Sequence, residues 1–124
     1  MKKTAVLTLA LLAVLALAPF VAAPAQAGDM VTKTGEVIDS ACYIQKGAKG
    51  EGHKECTKKC ADAGIPLALL EDGTNEVIWL TGADHGSANA VLKPYAAQKV
   101  TITGTLSERG GAKLMVVEKV EPAS

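Results

Sequence analysis

From Lys99 to Leu106 polar and apolar positions alternate strictly. Val100, Ile102, Gly104 and Leu106 fall on one face and Thr101, Thr103 and Thr105 on the other, the period of a half-buried strand. Glu108-Arg109-Gly110-Gly111 then reads as a turn, and Lys113 to Val120 as the returning strand. Upstream, Pro66 to Leu70 and Glu76 to Leu80 are apolar runs of strand length. The Asp72-Gly73 pair between them predicts a hairpin with a loop longer than two residues. Val31 to Asp39 mixes β-branched and polar residues as a half-exposed strand does, and Gly35 in its middle suggests a bulge or sharp bend. Between these strands the period changes. Glu51 to about Ala63 favours a short helix, stopped by Gly64 at a position that tolerates positive φ and by Pro66. Ala88 to Gln98 predicts one or two helical turns disturbed by Pro94, after a polar loop from Thr81 to Ser87.

The predicted order is strand, Cys-bearing helix, strand, strand, short helix, strand, strand. That is a mainly β domain. Five strands with a helix between the third and fourth suit a small oligomer-binding (OB)-like barrel, with a helical insertion at about residues 40–64 after strand 1. Closure would also cover edges that five separate strands leave exposed. An open β-meander with a helix on one face satisfies the same strings.

Residues 1–27 have another character. Lys2 and Lys3 precede an apolar stretch from Ala5 to Ala18, Pro19 ends its helical tendency, and Ala25-Gln26-Ala27 fits a small-x-small processing site. The uninterrupted run is shorter than the roughly 20 residues of a spanning helix. A cleaved secretory signal peptide is therefore expected, leaving residues 28–124 as a single periplasmic or secreted domain with no stable membrane anchor. Removing Lys2 and Lys3 leaves 11 basic against 13 acidic groups, a formal charge of −2. That balance, with 3% aromatic residues, argues against nucleic-acid binding, which needs a basic footprint and stacking platforms.

All three cysteines lie between Ser40 and Gly64. His53, Cys56 and Cys60 are spaced i, i+3 and i+7, which on a helix places them along one stripe. Cys42, where the first strand ends, can be carried beside it. Together they form a Cys3His set, a combination that zinc uses in four-coordinate sites; thiolate-rich donors also suit Cu(I). Lys54, Lys58 and Lys59 are expected to favour the thiolate forms. A c-type haem is disfavoured because no Cys-x-x-Cys-His run occurs, and an iron–sulfur cluster usually takes four cysteines. The export reading supplies a competitor. Cys42 can bridge to Cys56 or Cys60, leaving one thiol over for exchange and His53 as a solvent-exposed helix residue.

The chain resembles a group of small exported bacterial proteins. Their pattern is Cys-Tyr at a strand end, Gly-x-x-His-x-x-Cys-x-x-x-Cys, then Gly-x-Pro and an OB-like remainder. The matching residues are Cys42-Tyr43, Gly50, His53, Cys56, Cys60, Gly64 and Pro66. The resemblance implies the barrel and a single cysteine site, and no particular reaction.

Other residues have ordinary readings beside functional ones. His85, after Asp84, reads as a solvated loop histidine, with an extra ligand as the alternative. Trp79 reads as core, with ligand stacking as the alternative. Tyr43 closes the cysteine site or caps the core, and Tyr95 anchors the short helix. Lysines 46, 49, 54, 58 and 59, interspersed with Glu51 and Glu55, read as a solvated face. Nothing in the sequence places Asp39 or Asp84. No Ser-His-Asp motif, Walker loop, dinucleotide fingerprint or paired-carboxylate signal appears, so an enzyme is not expected. The expected function is a periplasmic module holding one zinc or copper ion through Cys42, His53, Cys56 and Cys60. The alternative is a thiol-redox or disulfide-stabilised barrel that binds a protein partner or an oligomeric ligand.

Overall fold

Alternation along the chain builds five strands in a computed structural model that describes residues 28–124. The leader read over residues 1–27 lies outside them. The strands are β1 (Asp29–Asp39), β2 (Leu67–Glu71), β3 (Val77–Thr81), β4 (Lys99–Arg109) and β5 (Ala112–Pro122). They close in the order β1-β2-β3-β5-β4, with β1 returning to pair with β4. All neighbours are antiparallel except β3 and β5, which run parallel from Ile78–Lys113 to Thr81–Val116. The result is an OB-like closed barrel, and the open meander is set aside because both ends of the sheet are paired.

Gly110 and Gly111 form the two-residue turn between β4 and β5, both at positive φ (58° and 80°), as a tight hairpin requires. Gly35 does not mark a bulge, since its pairings to β2 and β4 are both in continuous register. It sits where β1 is shared by two neighbours, and an added Cβ would overlap the Leu70 carbonyl. The register shift occurs instead between Thr103 and Gly104.

The barrel interior is filled by Val37, Leu67, Leu69, Ile78, Leu80, Val100, Ile102 and Met115. A smaller cluster of Ile38, Ala68 and Leu70 occupies the opposite face of β1 and β2. β2 is thus buried on both faces, which explains why its sequence is a continuous apolar run. Helix α3 (Asn89–Leu92) and the 3-10 turn Lys93–Tyr95 supply Leu92 and Tyr95 to the main core.

Trp79 departs from the core reading: it is 47% exposed. Strand parity decides this. Ile78 and Leu80 take the inward positions of β3, so the residue between them must face out. With Ile44 and Val77, Trp79 borders an open cleft of about 310 Å³.

Glu71 at the end of β2 is a buried charge that the strand pattern does not reveal. It accepts hydrogen bonds from Lys33 Nζ (2.5 Å) and Thr74 Oγ1 (2.7 Å). The Lys33 bond first, then that of Thr74, outweigh burial and hold its carboxyl below the ordinary value. A carboxyl depressed in the folded state contributes stability above its unfolded pKa, about 4.3, which is lost as pH falls through the folded value. Glu71→Gln is therefore expected to be less stable than the wild type at pH 7. The gap should close as urea unfolding is repeated below about pH 4.

Candidate metal centre

The connection from β1 to β2 carries every cysteine, and local chemistry fixes its path. Asp39, the last residue of β1, caps helix α1 (Ser40–Lys46). Its Oδ1 accepts the amides of Ala41 (2.9 Å) and Cys42 (3.1 Å). Cys42 therefore stands in the first turn of a helix, not at a strand end. Ser40 Oγ donates to the Pro66 carbonyl at 2.6 Å, fastening this turn to the start of β2. Gly47 ends α1 in the left-handed region, at φ 67°. Tyr43 packs on the Ile38, Ala68 and Leu70 cluster, and so caps that secondary core. The Gly50 amide then donates to Glu36 on β1, tying the loop down.

The predicted second helix divides into a 3-10 turn, Glu51–His53, and α2, Lys54–Asp62. His53 stands at the junction as the residue before α2. Thr57, buried, donates to the His53 carbonyl at 3.1 Å. At the far end Gly64 takes φ 89°, and the amides of Gly64 and Ile65 reach the carbonyls of Ala61 (3.1 Å) and Cys60 (2.9 Å). This paired closure is the Schellman arrangement expected of a glycine at C′. Buried Asn89 of α3 locks it in place. Its Nδ2 donates to the carbonyls of Ala61 (3.0 Å) and Ile65 (2.8 Å), and its Oδ1 accepts the Leu67 amide (3.0 Å).

These supports gather donor atoms into two groups. Cys42, His53 and Cys56 have ligand atoms within 4.8 Å of one another, and so do Asp39, Cys42 and Cys60. Cys42 belongs to both. The four residues expected to form one site are thus divided between the two groups: His53 and Cys56 share one with Cys42, while Cys60 shares the other with Cys42 and Asp39. A tetrahedral ion about 2.3 Å from each sulfur needs donors roughly 3.7 Å apart, so the donors of either group would close by at most about 1 Å. All three cysteines are free thiols. His85 is exposed and belongs to neither group among the described residues.

Two polar atoms in the cluster are buried without a hydrogen-bond partner: Asp39 Oδ2 and His53 Nε2. Leaving a buried acceptor unpaired costs about 1–3 kcal/mol, more for a charged group. Burial works to raise the Asp39 pKa. The Cys60 thiol, the Cys42 amide and thiol and the Ala41 amide outweigh it and hold the carboxyl below its ordinary value. Interaction with this carboxylate, followed by burial, pushes the Cys60 thiol up to about 12; the same two causes raise Cys42. Neither thiol has ordinary hydrogen-bond geometry to Oδ2, which stays unpartnered.

The lysines do not lower these two thiols as expected. Lys54 and Lys58 are paired with Glu51 (3.3 Å) and Glu55 (2.9 Å), and the nearer Asp39 charge decides. An entering cation must displace both protons, and in doing so it would replace the unfavourable carboxylate–thiolate contact with attraction.

Asp39 is the site residue that spacing arguments miss. A cap signal could have found it, because Asp39 before a short run ending at Gly47 is a helix N-terminus and C′ pair. No protein-family model, curated protein or solved structure matches the chain.

Proposed function

We propose that the chain is an exported metal-binding module in which the OB-like barrel holds zinc or copper at the Cys42 cluster, with His53, Cys56 and Cys60 as its other donors. One observation carries this reading: His53 is grouped with two thiols, and its Nε2 is buried without a hydrogen-bond partner. In a disulfide-stabilised domain, His53 would be a solvent-facing helix residue needing no such placement. A cation coordinated there meets the unsatisfied nitrogen and offsets the burial of thiolate charge. Thiolate and imidazole together suit zinc, and a thiolate majority suits Cu(I). The leader pattern of residues 1–27 supports export. The absence of a catalytic motif among the sequence's residues favours binding over chemistry.

Chelator competition on the reduced protein tests this. Replacing His53 by Ala should weaken retention by at least 10–100-fold, the range lost even when only a ligand's outer partner is removed. An affinity unchanged by His53→Ala removes the imidazole from the ligand set and leaves a thiol cluster alone.

A further inference from the structure

The donors around Cys42 do not fall into one shell. They form two triads with a common corner: His53 and Cys56 on one side, Asp39 and Cys60 on the other. Each triad contains one residue with a buried polar atom that has no partner, His53 (Nε2) in the first and Asp39 (Oδ2) in the second. Neither triad contains both residues, so an ion held by one triad meets only one of them. From this pairing we infer that the site has two cation positions bridged by the Cys42 sulfur. An outer position lies at Cys42, His53 and Cys56, and an inner one at Asp39, Cys42 and Cys60. This deepens the metal-binding reading above and rests on it.

Formal charge points the same way. With metal bound, three thiolates and the Asp39 carboxylate carry four negative charges, and the imidazole carries none. One divalent ion in the outer triad matches the Cys42 and Cys56 thiolates and leaves Cys60 a neutral thiol and the fully buried Asp39 carboxylate without a counter-charge, an expensive arrangement in a low-dielectric environment. Two divalent ions balance all four. The donor chemistry narrows the ion as well. A carboxylate in the inner triad disfavours Cu(I), whereas zinc accepts sulfur, nitrogen and oxygen donors together. Burial ranks the two positions. Cys56 of the outer triad is exposed, while Asp39 of the inner triad has no exposed surface. The outer position is the one that solvent reaches first, so ions enter there and pass inward across the shared sulfur.

Native mass spectrometry of the reduced protein titrated with zinc alone reads the stoichiometry. The expected result is two zinc ions per chain in the wild type. Asp39→Asn keeps a capping oxygen for α1 but removes the charge, and should hold one. Cys60→Ser, whose side chain caps nothing, should also hold one and guards against a folding defect in the first variant; far-ultraviolet circular dichroism checks both. His53→Ala should likewise lose one ion, from the outer position. A wild type that saturates at one zinc overturns the two-position inference while leaving the metal-binding reading intact. Two ions retained by both Asp39→Asn and Cys60→Ser also overturn it, because the second ion then lies elsewhere. No zinc at all overturns the inference, and no copper(I) in a parallel titration overturns the metal-binding reading with it.

Discussion

Cys42→Ser is expected to abolish the metal-dependent stability of this protein. Cys42 is the corner common to both donor groups, so its loss leaves no complete triad. A ligand lost from both groups should cost more than the 10–100-fold typical of outer-sphere substitutions. The thermal consequence is large. A ligand at a thousand times its Kd stabilises the folded state by about 4.1 kcal/mol. In a domain of this size each kcal/mol shifts Tm by about 4–8 °C. Zinc at that excess should raise the wild-type Tm by roughly 15–30 °C and leave the variant's nearly unmoved. Without metal the two proteins should differ by no more than about 1 kcal/mol, because Cys42 is partly exposed and the Asp39 cap needs only its backbone amide. Differential scanning calorimetry with and without zinc separates these effects. A full zinc-induced shift in Cys42→Ser would show that the shared corner is not a ligand.

Asn89→Ala should be the most damaging substitution in the metal-free fold. One side chain serves three backbone groups: the Ala61 and Ile65 carbonyls at the end of α2 and the Leu67 amide at the start of β2. Alanine removes that partner from all three; the Ala61 carbonyl keeps the Gly64 amide, so the loss falls on the Ile65 carbonyl and the Leu67 amide. Each unsatisfied group costs about 1–3 kcal/mol, with water entry recovering part of it, so a total near 2–4 kcal/mol is expected. Urea unfolding should show this as a lower midpoint at unchanged slope. The change also reaches function, because Asn89 holds the end of the helix that carries Cys56 and Cys60 against the barrel. Zinc affinity should therefore fall although no ligand is altered. A destabilisation below about 1 kcal/mol would show that the three contacts are replaceable.

These two residues mark the limits of what could be read in advance. Periodicity was legible wherever one face of a strand is buried and the other wet, as in β4 with its threonines, and where glycine must supply positive φ, as at Gly64 and Gly110-Gly111. The apolar runs of β2 and β3 were also legible, together with the interrupted helix before β4. Helix α1 was not, because seven residues give two turns and too little repeat to distinguish from loop. Trp79 reads as core because it lies in an apolar run, but its parity between Ile78 and Leu80 turns it outward. Asn89 could not be foreseen: its partners lie 22 to 28 residues away in sequence and are backbone groups, which leave no side-chain signature.

The candidate site divides along the same line. His53, Cys56 and Cys60 announce themselves by spacing along one short segment, although the 3-10 turn carries His53, α2 carries the two cysteines and Cys60 falls in the other donor group. Asp39 and Cys42 come to them only through the turn of α1 and the Ser40–Pro66 tie. The thiol chemistry was misjudged for a related reason. Nearby lysines are evident in the sequence, whereas a buried carboxylate close to two of the thiols exists only once the chain is folded.

The central claim is that sulfur and nitrogen donors meet around Cys42 to hold a metal. It is tested most directly by native mass spectrometry of the protein purified without chelator, combined with a count of alkylatable thiols. The account predicts a mass raised by bound metal, with thiols that become fully alkylatable only after the metal is removed. A metal-free mass lower by two hydrogens, with one alkylatable thiol, would contradict it and put a disulfide in place of the metal site.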